Sequence, residues 1–297
     1  MAAKTKGRVL IIAPHADDEV FGCGGTMARL SEAGYELYLV IVSLGAVPLY
    51  GTDGDVLSTD ARETELDKAA RELGVRDYDI LYRDQERHLR LDQIPRRDLM
   101  ALLEADGNLA FTKIRPKLCF VPSPSSNQDH EAVFRACHST LRPPLASLSD
   151  PPRAALIYES PYSSWAASPF RPEVYVNVEG FLDRKLKALE CYASQSRDYP
   201  HALSHQAIRD GIPPSGCLHT RLVSFGPPDS AGSKGRYFFR GTGSPQCPKD
   251  SLSSHPLSGG TRYFSLLWDF PVFHSGVRSA PSRHSSCRRG RCSRGNG

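Results

Sequence analysis

No stretch of this sequence approaches the ~20 consecutive apolar residues that a membrane-spanning helix requires. The apolar run Val9–Ala13 follows a polar N-terminus carrying Lys4, Lys6 and Arg8, and it is too short for the core of a signal peptide. A soluble, cytoplasmic protein without a membrane span is therefore expected. The sequence also lacks a CxxC pair. Its eight cysteines, Cys23, Cys119, Cys137, Cys191, Cys217, Cys247, Cys287 and Cys292, are scattered, which argues against a disulfide framework and against a thiolate zinc site. The first four are expected to be reduced and mostly buried. Glutamate is missing altogether from Ile212 onward, where twelve Lys and Arg face three Asp, so the formal net charge of +4 hides an acidic body and a basic end.

What remains is a chain of 297 residues, 40% hydrophobic, long enough to bury a substantial core. Its composition divides it into a patterned region, residues 1–211, and a basic, low-complexity region, residues 212–297. In the second, Ser, Gly, Pro and Arg dominate and turn-forming dipeptides recur, so burial cannot offset the entropy of ordering the chain. That region is expected to be a disordered tail, and its abrupt change of composition fits a reading-frame shift. Arg288, Arg289, Arg291 and Arg294 could contact phosphates, but nothing organises that charge and no nucleic-acid partner is expected.

Residues 9–211 alternate between short apolar runs and amphipathic stretches, the pattern of an α/β fold with a doubly wound, mostly parallel, Rossmann-like sheet flanked by helices. The pattern predicts strands at Arg8–Ala13, Leu37–Ser43, Tyr78–Tyr82, Lys117–Val121, Ala155–Glu159 and Val174–Val178. It predicts helices at Gly24–Ala33, Asp60–Leu73, Arg96–Glu104, Glu131–Thr140 and Gly180–Cys191. In Asp60–Leu73, for example, Leu66, Ala69, Ala70 and Leu73 recur at the spacing of one buried helical face. Ligands of such folds sit beyond the carboxyl ends of the strands, so the loops Pro14–Phe21, Leu44–Asp53 and Pro122–His130 should converge on one crevice.

The first of these loops reads Ala13-Pro14-His15-Ala16-Asp17-Asp18-Glu19. One acid at a strand-to-helix turn can be a simple helix cap, and one of these three could do that job. Adjacent carboxylates repel unless a cation offsets them. His15 and Asp18 are ligands suited to zinc, which leaves Asp17 unligated as a base. A metal site and a structural turn both remain open on these residues alone. The segment Asn127-Gln128-Asp129-His130 opens a helix after another strand, so His130 would supply a third ligand and leave a fourth position open, as catalytic zinc requires. A surface or capping role is the alternative for that histidine.

His15-Ala16-Asp17-Asp18-Glu19 and Gln128-Asp129-His130 resemble the two signature motifs of the PIG-L/LmbE family of zinc-dependent N-acetylglucosaminyl deacetylases. Gly22-Cys23-Gly24-Gly25, Arg62-Glu63-Thr64-Glu65 and Leu73-Gly74-Val75 extend the likeness over roughly residues 7–195. The family's first motif is commonly written His-Pro-Asp-Asp-Glu, so Ala16 departs from it at a position that is not a ligand. The resemblance implies Zn2+ held by His15, Asp18 and His130, with Asp17 as general base and Arg62 in contact with the substrate. It implies hydrolysis of a small N-acetylated sugar conjugate to acetate and a free amine. For Arg62 the alternative is a helix-surface residue paired with a nearby Glu. Many members carry a further histidine where this chain has Asn127. An amide there can donate a hydrogen bond to the oxyanion but cannot hand over a proton, which would leave that task to Asp17.

Two other readings compete. Gly22-Cys23-Gly24-Gly25 could open a dinucleotide-binding helix, but that fingerprint needs Gly or Ala where Met27 stands. A catalytically degenerate, glycan-binding member of the same fold is the other. Tyr50, Tyr158, Tyr162 and Trp165 could stack on a sugar ring or belong to the core or rim.

Overall fold

Strand β1, Arg8–Ala13, is apolar at every position after Arg8 and is buried on both sides. Val9, Ile11 and Ala13 enter one core cluster and Leu10 and Ile12 enter the other, which is the two-sided burial a central parallel strand needs. The structure is a computed structural model that describes residues 5–49, 51–142, 152, 154–159, 174–201, 203–210, 219–225 and 272–274. Its further strands are β2 (Glu36–Ser43), β3 (Val47–Pro48), β4 (Val56–Leu57), β5 (Val75–Tyr82), β6 (Leu118–Pro122), β7 (Ala154–Tyr158), β8 (Val174–Asn177), β9 (His219–Phe225) and β10 (Val272–His274). The main sheet runs β10-β8-β9-β7-β6-β1-β2-β5, with β3 and β4 forming a separate small hairpin. β5, β2, β1, β6 and β7 are mutually parallel. β9 pairs antiparallel with both β7 and β8, and β10 pairs antiparallel with β8.

Helices cover both faces. α1 (Asp18–Glu32), α2 (Thr59–Leu73) and α6 (Leu182–Cys191) bury Met27, Leu66 and Leu189 in the first cluster. α3 (Arg96–Ala101), the short α4 (Phe111–Ile114) and α5 (Gln128–Thr140) bury Leu99, Ile114 and Val133 in the second. A last helix, α7, spans His205–Asp210. The expected doubly wound architecture is thus present. Six expected strands and four of five expected helices begin within about three residues of their observed limits, as local patterning allows. α2 illustrates why: Ser58 Oγ accepts the Ala61 N–H at 3.2 Å, and Gly74 ends the helix at φ 73°, a conformation that favours glycine.

α1 starts six residues before the expected Gly24, because tertiary packing overrides the poor helix propensity of its glycines. A Cβ on Gly22 would lie 2.1 Å from Tyr158 Cδ2, and one on Gly25 would lie 3.0 Å from Val178 Cβ. These glycines let the helix approach the sheet; they do not open a phosphate cradle, and the dinucleotide reading loses its basis. The helix kinks at Cys23, and Lys185 Nζ donates to the Phe21 carbonyl at 2.8 Å next to that kink.

Within residues 212–297, expected to form a structureless tail, the described segments are β9 and β10, and both belong to the main sheet. The segment Thr220-Arg221-Leu222-Val223 has the β-branched content that a strand favours. The rest of that expectation lies outside the described residues. No described helix is long and apolar enough to cross a membrane. Cys23, Cys119 and Cys137 are buried free thiols as expected, while Cys191 is half-buried.

Candidate metal centre and active site

β1 and β6 are neighbours at the point where the strand order reverses, with β2 and β5 leading one way and β7 the other. Such a switch point opens a crevice beyond the strands' carboxyl ends. The turn after β1 delivers His15, Asp17 and Asp18 to it, and the first turn of α5, after β6, delivers Asp129 and His130. His15, Asp18 and His130 are buried, and each offers one ligand atom within 4.8 Å of the others. Asp18 Oδ2 lies 3.5 Å from His15 Nδ1 and 3.2 Å from His130 Nε2. A tetrahedral centre with bonds of ~2.1 Å has ligand edges of about 3.4 Å, so these two edges fit one small cation. Two imidazole nitrogens and one carboxylate oxygen form a donor set for a divalent metal.

Asp129 orients this set. Its fully buried carboxylate accepts His15 Nε2–H at 2.8 Å through Oδ2 and the Leu91 N–H at 2.9 Å through Oδ1. His15 Nδ1 is thereby turned toward Asp18, a carboxylate–histidine pairing that fixes ring and tautomer at metal sites. Burial alone would lower the His15 pKa, but hydrogen bonds and charge from Asp129 and Asp18 lift it to about 9. Burial would raise Asp18, but the charge of His130 and hydrogen bonds from both imidazoles hold it well below the usual carboxylate range. His130 Nδ1 is buried without a hydrogen-bond partner.

Asp17 occupies the N-cap position of α1, yet its side chain makes no capping hydrogen bond. Its carboxylate is therefore left for chemistry, and the simple-cap reading does not apply to it. Its φ of 120° is rare for a non-glycine residue. Burial, reinforced by the charges of Asp18 and Glu19, pushes its pKa well above the ordinary value, against the opposing charges of Arg62 and His15. Asn127 caps α5: its Oδ1 accepts the Asp129 N–H at 2.9 Å. Because the cap needs an acceptor, the amide orientation is fixed, and Nδ2 remains as a donor.

Arg62 is placed otherwise than the helix-surface alternative expected. It is only 3% exposed, so it is not a surface residue paired with Glu. Its Nη1 donates to the Gly45 carbonyl at 3.1 Å and Nη2 to the Ala16 carbonyl at 3.4 Å, so the guanidinium braces the turn from behind, while Nε has no partner. His88 was not anticipated. Its Nε2 lies 3.3 Å from Arg62 Nη1, which can only donate, so Nδ1 carries the hydrogen and donates to Ser43 Oγ at 3.2 Å. Burial, with the charges of His15 and Arg62, lowers its pKa to about 4, and the neutral ring packs edge-on to His15. The charged segment Arg83–Arg90 carried no signal that would separate His88 from a solvated loop. Tyr158 is core: it is fully buried and its hydroxyl donates to the Ile12 carbonyl at 2.9 Å. Tyr50, Tyr162 and Trp165 lie outside the described residues.

Comparison with known proteins agrees with this geometry. The family model for PIG-L, GlcNAc-PI de-N-acetylase, matches residues 10–141, which include all three candidate ligands. The protein named "Probable N-acetyl-alpha-D-glucosaminyl L-malate deacetylase 2" of Bacillus anthracis is 26% identical over 201 residues, covering 65% of this chain and 83% of its own length. The N,N'-diacetylchitobiose deacetylase of Pyrococcus horikoshii superposes with a TM-score of 0.55 at 25% identity, over 74% of this chain and 84% of that one. GalB, the 4-carboxy-2-hydroxymuconate hydratase of Pseudomonas putida, also reaches a TM-score of 0.55, at 19% identity over 76% of this chain and 99% of its own. The fold therefore carries more than one chemistry, and the activity has to be argued from the site. With both signature motifs meeting at one candidate metal centre inside the span of the family model, residues 10–141 form a region of the PIG-L/LmbE N-acetylglucosaminyl deacetylase type.

Proposed function

We propose that this protein uses zinc to hydrolyse the acetamido group of a small N-acetylglucosamine-type conjugate, releasing acetate and the free amine. The observation that carries this reading is the convergence of His15, Asp18 and His130 within 4.8 Å, beside an Asp17 carboxylate not used in capping. Three N/O ligands from the protein leave a position open, which is the usual arrangement of catalytic zinc. When bound, the metal would acidify water and polarise the amide carbonyl. His15, held by Asp129, and His130 and Asp18 would hold it. Asp17, whose carboxylate is not used in capping, takes the proton from the attacking water. The same carboxyl returns the proton to the departing nitrogen, because Asn127 has none to give. Asn127 Nδ2 donates to the carbonyl oxygen as it becomes negative. Arg62 keeps the Ala16–Asp17 turn in place behind the carboxylate.

The test is metal content of the purified full chain and of a His130→Ala variant, followed by amine release from N-acetylglucosamine and N,N'-diacetylchitobiose. About one zinc per chain, lost in the variant together with amine release, supports the reading. Folded wild-type protein that takes up no zinc when it is supplied overturns it.

A further inference from the structure

Asp17 has to hold its carboxylate in the crevice from a backbone conformation that non-glycine residues rarely adopt, φ 120° and ψ −31°. That φ describes rotation about the N–Cα bond relative to the peptide joining Ala16 to Asp17, so whatever fixes the peptide fixes the angle. Both polar atoms of this peptide are held by side chains. Arg62 Nη2 donates to the Ala16 carbonyl at 3.4 Å, and the Asp17 N–H donates to Glu19 Oε2 at 3.1 Å.

Glu19 is itself aimed by a residue 173 positions further along the chain. It is 1% exposed, and its second oxygen, Oε1, accepts the Tyr192 hydroxyl at 2.7 Å. Tyr192 is buried directly after α6, and the turn that follows it is fastened to α2: Glu65 accepts the Ser194 N–H at 2.9 Å and its hydroxyl at 2.6 Å. A carboxylate bonded at both oxygens cannot rotate without breaking one contact. The hydrogen bonds therefore run unbroken from Tyr192 through Glu19 to the Asp17 N–H.

We propose that Glu19 and Tyr192 are positioning residues which, with Arg62, hold Asp17 in its left-handed backbone conformation and so place the base for the deacetylation proposed above. Glu19 touches neither the candidate metal ligands' donor atoms nor open crevice in this arrangement; it acts through the main chain of its neighbour. The inference rests on that reading for its kinetic consequence but not for its structural one.

Two measurements on the full-length protein separate the parts. Crystal structures of wild type and of Glu19→Ala should show Asp17 near φ 120° in the first and relaxed to negative φ in the second. An Asp17 that keeps φ near 120° in folded Glu19→Ala overturns the proposal, whether or not any substrate is known. Kinetics on whichever of N-acetylglucosamine and N,N'-diacetylchitobiose the wild type hydrolyses should show kcat lowered by about 10- to 100-fold in Glu19→Ala. KM and zinc content should be unchanged. Tyr192→Phe, which keeps the ring in the core, should lower kcat by a smaller factor. Glu19→Gln, whose amide can accept from Asp17 and pair with Tyr192, should restore most of kcat. Equal losses in the Ala and Gln variants, or a loss confined to KM, would mark Glu19 as a structural residue and overturn the positioning role. Wild-type protein that loads zinc but releases no amine from either sugar removes the deacetylase reading and leaves the Asp17 geometry to decide this one.

Discussion

The two halves of the main sheet are built differently. The parallel half, β5-β2-β1-β6-β7, joins strands through covering helices, and its reversal between β1 and β6 brings together every candidate ligand. The antiparallel half takes β9 and β10 from the basic, glutamate-free part of the chain and inserts β9 between β7 and β8. One half holds the chemistry and the other completes the hydrogen bonding of the sheet. If that division is right, substitutions in the first should remove metal or rate with little effect on the fold, and substitutions in the second should do the reverse.

The largest effect tests the first half. His130→Ala removes one of three ligands and leaves Asp18 with His15 as its remaining histidine partner. Zinc should be lost and amine release should fall by about 1,000-fold or more, roughly 4 kcal/mol of transition-state stabilisation. Circular dichroism should stay that of the wild type. The complementary case lies in β9, where Leu222 pairs with Tyr158 on one side and Val174 on the other. Proline at 222 removes a backbone donor from an interior strand and should cost about 3 kcal/mol in denaturant unfolding. Below its transition the variant should still bind one zinc. Loss of zinc in the folded Leu222→Pro protein would break the division between the halves.

Asp129→Ala should lie next in size. It frees His15 Nε2 and orphans the buried Leu91 N–H, so zinc affinity should fall by about 10- to 100-fold without abolishing binding. Competition with a chelator of known affinity measures it. An unchanged affinity would mean that packing against His88, not Asp129, orients the His15 ring.

The contrast between halves also marks what could be read in advance. β1, β2 and β6 were legible because a strand buried on both faces must be a continuous apolar run, and His15, Asp18 and His130 were legible because each lies in a short polar motif in the strand-to-helix connection that follows such a run. Asp129 and His88, and the Tyr192 hydroxyl that fixes Glu19, owe their roles to contacts across 26 to 173 positions of sequence, which no local pattern encodes. The early start of α1 was hidden for a related reason: Gly22 is there for the ring of Tyr158, a neighbour supplied by β7. β9 was missed because the composition around it, rich in Ser, Gly and Pro, outweighed a seven-residue strand signal.

Asn127 separates fold from chemistry within a single side chain, and its effect on stability should be the smallest of the set. Its Oδ1 caps α5, while Nδ2 is the proposed oxyanion donor. Asn127→Ala removes both, so it should destabilise the protein by about 1 kcal/mol and slow amine release by at least about tenfold. Asn127→Asp keeps an equally good cap but has no N–H to donate and adds charge where the oxyanion forms. Its stability should stay within about 0.5 kcal/mol of wild type while its rate falls at least as far. A rate that instead followed stability through both variants would mean that Asn127 serves the helix alone, and the oxyanion would then need its donor from elsewhere in the crevice.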